Sequence, residues 1–163
     1  MNEGVGVLRR FLVIFSIVAV TVLFVVMYLF EVKIRNISGS GTVALQSVVT
    51  PADAETIILK WNAAGIFDDV RTCFLLDFGF IVAYTWLLFV LTAGRKAPLL
   101  YAAIPLTAAF DIAENIFHLI MISSGTYFLI PVSFAMTAAK FALFLLSFGL
   151  IIFSYLKKKK KEE

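Results

Sequence analysis

Asp111, Glu114, Asn115 and His118 follow one another at intervals of three, one and three residues inside an otherwise apolar stretch. Thr107 precedes them by four. On a helix turning about 100° per residue, these positions share an arc of about 120°. Ser133, Thr137, Lys140 and Ser147 repeat the pattern at intervals of four, three and seven, and Asp77 with Tyr84 adds a third stripe seven residues apart. Three carboxyl groups, one ammonium and one imidazole are thus set to face each other across helices.

The surroundings decide what such groups can do. An ionisable side chain at the centre of a bilayer costs at least about 2.5–3.5 kcal/mol, so it faces a cavity and pairs. Lys140 with Glu114 or Asp111 is the evident pair. Gluing helices is its simplest role, yet polar contacts between membrane helices contribute only about 0.6 kcal/mol on average. Asp77, Asp111 and Glu114 also outnumber Lys140, so unless His118 is charged one carboxyl must be neutral or balanced by something bound. The leading expectation is therefore a polar site for a small cationic or hydrogen-bonding ligand, lipid-derived or free. Asp111 and Glu114 would form its anionic core, Lys140 the counter-charge, and Asp77, Asn115, His118, Thr137 and Tyr84 the remaining lining.

Other chemistries fit less of the pattern. Glu114, Asp111 and His118 are the candidates for acid–base catalysis on a lipid, with no nucleophile elbow, phosphate loop or His-x-x-Glu-His motif beside them. Ser133 and Thr137 are nucleophiles only by proximity. A metal held by Glu114, His118 and Asp111 would compete with Lys140 for the same carboxylates, so no metal is assigned. A proton relay thins out below Asp111, where only Thr107, Tyr84 and Ser147 remain. The third alternative is an accessory or assembly subunit of a membrane complex whose buried ion pairs are structural. Ala109 and Ala113, and Ala135, Ala139 and Ala142, would let helices pack closely within one bundle, a homo-oligomer or such a complex.

The elements that carry these residues are membrane spans. Hydrophobic residues make up 61% of the 163 and charged ones 15%, against roughly 45–50% and 25% in soluble domains. Cys73 is the single cysteine, which excludes an intrachain disulfide, a Cys-x-x-Cys redox pair and a Cys-rich zinc site. A bilayer core about 30 Å thick needs about 20 apolar residues per helix. Four spans meet this, at about 8–30, 71–93, 98–122 and 131–156, and predict an all-α integral membrane four-helix bundle in one domain. The first is too long for a signal-peptide core and lacks a small-x-small cleavage pattern, so it reads as a retained helix. Counting from the outer ends puts Glu114 and Lys140 about 13 Å deep, Asp77 and His118 about 8–9 Å and Asp111 about 18 Å, which predicts an outward-opening pocket with Asp111 at its floor.

Arg9 and Arg10, Arg95 and Lys96, and the basic tail 157–163 fall on one side of such a chain, so both termini are expected in the cytoplasm. That places the protein in the plasma (inner) membrane of a prokaryote or, in a eukaryote, allows the endoplasmic reticulum, whose dilysine retrieval signals Lys160-Lys161 resembles. The net charge of +3 fits an anionic leaflet of the lipid bilayer and not nucleic acid.

The external connection, about 31–70, is expected to hold more than a linker. Ser38-Gly39-Ser40-Gly41 reads as a flexible hinge. Thr50, Pro51 and Asp53 start a short interfacial helix, Ala54, Ile57, Ile58 and Trp61 share its apolar face, and Gly65 stops it. Trp61 would lie at the membrane interface, and Asp68 or Asp69 would cap the next helix.

Overall fold

The computed structural model describes residues 3–94 and 98–159. Arg95 and Lys96 of the second connection and the end of the basic tail, 160–163, lie outside the described residues. Six helices follow in order: α1 Glu3–Ser38, α2 Thr42–Ser47, α3 Pro51–Ala63, α4 Phe67–Thr92, α5 Pro98–Ser124 and, after a 3-10 turn at Tyr127–Leu129, α6 Ile130–Lys159. No strand occurs among the described residues. Helices α1, α4, α5 and α6 are long and apolar enough to cross a membrane, and they form the expected all-α bundle.

Neighbours in this set pack on one another: α1 on α4, α4 on α5 and α5 on α6. Tyr84 of α4 also meets Phe144 of α6 edge-on at 6.1 Å, so α4, α5 and α6 enclose a common interior. Phe11, Phe15, Val18, Val22, Phe24 and Leu29 leave α1 a largely exposed apolar rod on the back of α4, a surface suited to lipid.

The first span is longer than its apolar run suggests. With 36 residues, α1 extends about 54 Å, far beyond a bilayer core. It continues through Glu31–Ser38 because nothing in that stretch breaks a helix and because Ile34, fully buried, packs under the capping elements. The connection proper is therefore 39–66. The other helices also exceed the expected spans, beginning at Phe67 and Ile130 and ending at Ser124 and Lys159.

The connection folds into a cap over one end of the bundle. Thr50 accepts a hydrogen bond from the Asp53 N–H at 3.2 Å and Pro51 occupies the first turn, as the sequence predicts for α3. Its end is a Schellman turn: the Ile66 N–H reaches the Trp61 carbonyl (3.2 Å) and the Gly65 N–H that of Asn62 (3.0 Å). Gly65 has φ +68°, which a side chain would strain, and Ile66 tucks into the cluster that holds Trp61.

Three expectations for this region need correction. Trp61 is no interfacial anchor: it is fully buried, and its indole N–H donates to the Ser40 carbonyl at 2.6 Å. The 38–41 segment is not a loose hinge. Ser38 Oγ lies 2.8 and 2.9 Å from the carbonyls of Ile34 and Ser40 and accepts from the Ser40 N–H. Neither Asp68 nor Asp69 caps α4. Ile66 holds the cap position, both acids sit in the first turn, and Asp69 pairs with Lys33 of α1 at 2.7 Å. Helix α2 is an additional element without a sequence signal of its own. It is too short for a periodic signal, and what holds it is a residue eleven positions upstream.

Candidate functional site

Helix periodicity carries the polar stripe of α5 to the inner face of the bundle, where Asp111 is 7% exposed and Glu114, Asn115 and His118 not at all. Opposite them α6 presents Ser133, Thr137 and Lys140, and α4 presents Asp77 and Tyr84, all buried. The expected lining residues therefore share one interior.

Lys140 is the hub. Its Nζ lies 2.6 Å from Asp111 Oδ1 and 2.6 Å from Glu114 Oε2. Asp111 offers its second oxygen to the Tyr84 hydroxyl, which donates at 3.0 Å. Phe80 and Phe144 meet the Tyr84 ring edge-on at 5.6 and 6.1 Å and hold the phenol in place. Asp77 stands apart from the lysine and accepts from the Asn115 amide at 2.8 Å. That contact fixes the amide's orientation and turns Asn115 Oδ1 away without a partner. His118 Nε2 lies 2.9 Å from Ser133 Oγ, and its ring packs on Phe74 at 5.1 Å between centroids. Thr107 returns its hydroxyl to the backbone carbonyl one turn earlier at 2.9 Å and serves its own helix, whereas the Thr137 hydroxyl, 3.1 Å from the Ser133 carbonyl, also neighbours the Glu114 carboxylate.

Chemically, the arrangement has a surplus of acceptors. Three carboxyl groups face one ammonium. Glu114 Oε1, Asn115 Oδ1 and His118 Nδ1 are buried without hydrogen-bonding partners, along a single turn of α5. Each unsatisfied buried polar atom costs about 1–3 kcal/mol. A hydrogen-bond donor or cation between Glu114 Oε1 and Asn115 Oδ1 would remove their share of that penalty; His118 Nδ1 accepts or donates according to the tautomer the Ser133 contact selects.

The imidazole and the carboxylates do not converge as metal ligands: His118 is turned to Ser133 and Glu114 to Lys140. Among the described residues no three such side chains come together around one point.

The expected open mouth is closed in this state. Toward the cap, Cys73, Phe74, Met121, Ile122 and Ile130 join Trp61 in an apolar plug. Toward the other end, Ile81, Leu88, Leu100, Ile104 and Ile151 form a second. The polar groups are a layer between two apolar ones. A crevice of about 560 Å³ does exist, lined by Arg9, Trp86 and Tyr101 among others, but it lies at the end opposite the cap.

Sequence spacing identified the charged members. It gave no hint that Phe74 would carry the His118 ring or that Cys73 would lie beneath the cap, because both are ordinary apolar positions on a span. No known protein family, characterised protein or solved structure matches the chain, so the site is interpreted from its own chemistry.

Proposed function

We propose that the chain is a small polytopic membrane protein whose buried polar layer binds a small cationic, hydrogen-bond-donating ligand, free or lipid-derived, admitted from the capped end. In this reading the capped end faces outward and both termini face the cytoplasm. The observation that supports it is the acceptor surplus among the described residues: three carboxyl groups share the one ammonium of Lys140, Asp77 is hydrogen-bonded to an amide with no ion pair of its own, and Asn115 Oδ1 has no donor. A protonated amine supplies both what the oxygens lack and the missing positive charge.

Thermal unfolding of the purified protein with ethanolamine, choline and putrescine, together with native mass spectrometry after gentle extraction, tests it. A binder at a hundred times its Kd stabilises by about 2.7 kcal/mol, which appears as a clear rise in Tm. Glu114→Gln and Asp77→Asn should abolish that rise while leaving the unliganded protein folded. No copurifying ligand together with no response to any amine would overturn the proposal.

A second reading draws on one contact. Ser133 Oγ beside His118 Nε2 is the geometry of a hydroxyl with its base, as an acid–base enzyme acting on a lipid would use. His118 Nδ1, however, has no carboxylate to orient it. Covalent labelling of Ser133 by a fluorophosphonate, absent in His118→Gln, would favour this reading over the first.

A further inference from the structure

Glu31, near the end of α1, sends its carboxylate across to the start of α2. There Oε2 accepts from the Thr42 N–H at 2.6 Å, the Thr42 hydroxyl at 2.7 Å and the Val43 N–H at 3.3 Å. No side chain of the 41–47 segment caps this helix, since its N-cap is Gly41. A helix of six residues is far too short to persist by itself, so its integrity depends on this borrowed cap and on what it packs against. Gly41 is required by the same contact: a Cβ there would fall within the Glu31 carboxylate.

What α2 covers gives the latch its meaning. Thr42 Oγ1 rests 3.8 Å from the thiol of Cys73, which is 4% exposed. One turn deeper on the same face of α4 is Asp77, about 6 Å along the axis. The residue beside Cys73, Phe74, carries the His118 ring. Thr42, Cys73 and Asp77 thus form a descending column from the cap to the polar layer, while α2 also packs against α1, α3 and α6. The neighbouring α3 is tied down by Trp61 and Ser40, whereas α2 is anchored by one fully buried side chain, Leu45, and by the Glu31 carboxylate at its N-terminus.

We propose that α2 is the gate to the buried polar layer and that the Glu31 carboxylate on Thr42 and Val43 is its latch. The gate rests on the ligand-binding reading above for its purpose, and its mechanics can be tested separately. When Glu31 swings away, α2 loses its cap and lifts, Thr42 leaves Cys73, and the column down to Asp77 opens to water.

Cys73 is a native reporter for this motion. The purified full chain is treated with a trimethylammonioethyl methanethiosulfonate and with its sulfonatoethyl counterpart, each rate divided by that for a free thiol. Wild type should react slowly. Glu31→Gln and Gly41→Ala, which break the latch from its two sides, should each accelerate Cys73 by about tenfold, the effect of losing one good helix cap. Lys33→Ala, which removes only the exposed contact to Asp69, should leave the rate unchanged. Thr92 is fully buried at the opposite end, so Thr92→Cys in a Cys73→Ser background separates gate opening from general unfolding. It should stay unreactive when the latch is broken.

Unchanged Cys73 rates in both latch variants, or equal exposure of Thr92→Cys, would overturn the gate. Acceleration with no preference for the cationic reagent would keep the gate and overturn the cationic-ligand reading.

Discussion

Lys140 has two carboxylates within 2.6 Å, and the energetic consequence is asymmetric. Removing the ammonium leaves Asp111 and Glu114 buried without a counter-charge, whereas removing all three charges leaves a smaller penalty. Breaking a buried pair from one side costs about 3–5 kcal/mol, while replacing the whole set with neutral groups is often neutral or better. Lys140→Met should therefore lower the unfolding Tm sharply or prevent recovery of folded protein. The triple variant Asp111→Asn, Glu114→Gln, Lys140→Met should regain most of the loss by the same measurement. If Lys140→Met alone unfolds like the parent, the ammonium is not needed to neutralise this centre. Spacing made this cluster legible, because polar residues at intervals of three and four on adjacent spans have one common place to go. The partner of each group was not legible. Asp77 pairs with Asn115 and not with the lysine because α4 sets its carboxylate against the amide of α5, a result of helix rotation that periodicity alone leaves open.

At the level of elements, the four long helices follow from length and apolarity, and α3 follows from its cap, its proline, its buried face and its glycine stop. These signals are local, and each is completed by residues within a turn of it. The placement of Trp61 is a different kind of fact. Interfacial depth suits an indole in general, but here Ser40, twenty-one residues earlier, offers a carbonyl inside the cap and Ile34, Leu45 and Ile58 surround the ring's cluster. Such a tertiary contact has no sequence signature. Trp61→Phe keeps most of the apolar volume and removes the donor, leaving the Ser40 carbonyl without it. A loss of about 1 kcal/mol is expected, seen as a modest fall in Tm. Gly65→Ala should cost a similar amount, about 1 kcal/mol, because its backbone is left-handed at φ +68°. A variant at either position that unfolds like the parent would mean that the cap contributes nothing to the stability of the bundle.

Across the whole molecule, one end is organised by backbone carbonyls and basic side chains and the other by the cap. Arg9 of α1 donates to the Leu91 carbonyl at 3.3 Å, and Tyr101 of α5 donates to that of Thr92 at 3.2 Å. The carbonyl end of the α4 dipole thus meets a guanidinium, a favourable arrangement that fixes α1 antiparallel to α4. The start of α1 and the end of α6 belong to this end, since four long helices run in alternating directions through the bundle. Positive charge is retained on the cytoplasmic side of membranes, and here Arg9 and Arg10 lie at the start of the first span and Lys157 to Lys161 at the end of the last and just beyond it in sequence. The capped end, from Glu31 to the first turns of α4, carries Lys33, Arg35, Lys60 and Arg71 against Glu31, Asp53, Glu55, Asp68 and Asp69, and so has no basic excess to hold it inside. An alkaline phosphatase fused after Glu163 should accordingly be inactive in cells, while the same enzyme inserted after Val49, at an exposed point between α2 and α3, should be active. The reverse pattern would turn the molecule over. The gate would then face the cytoplasm, and any ligand of the polar layer would be drawn from inside the cell.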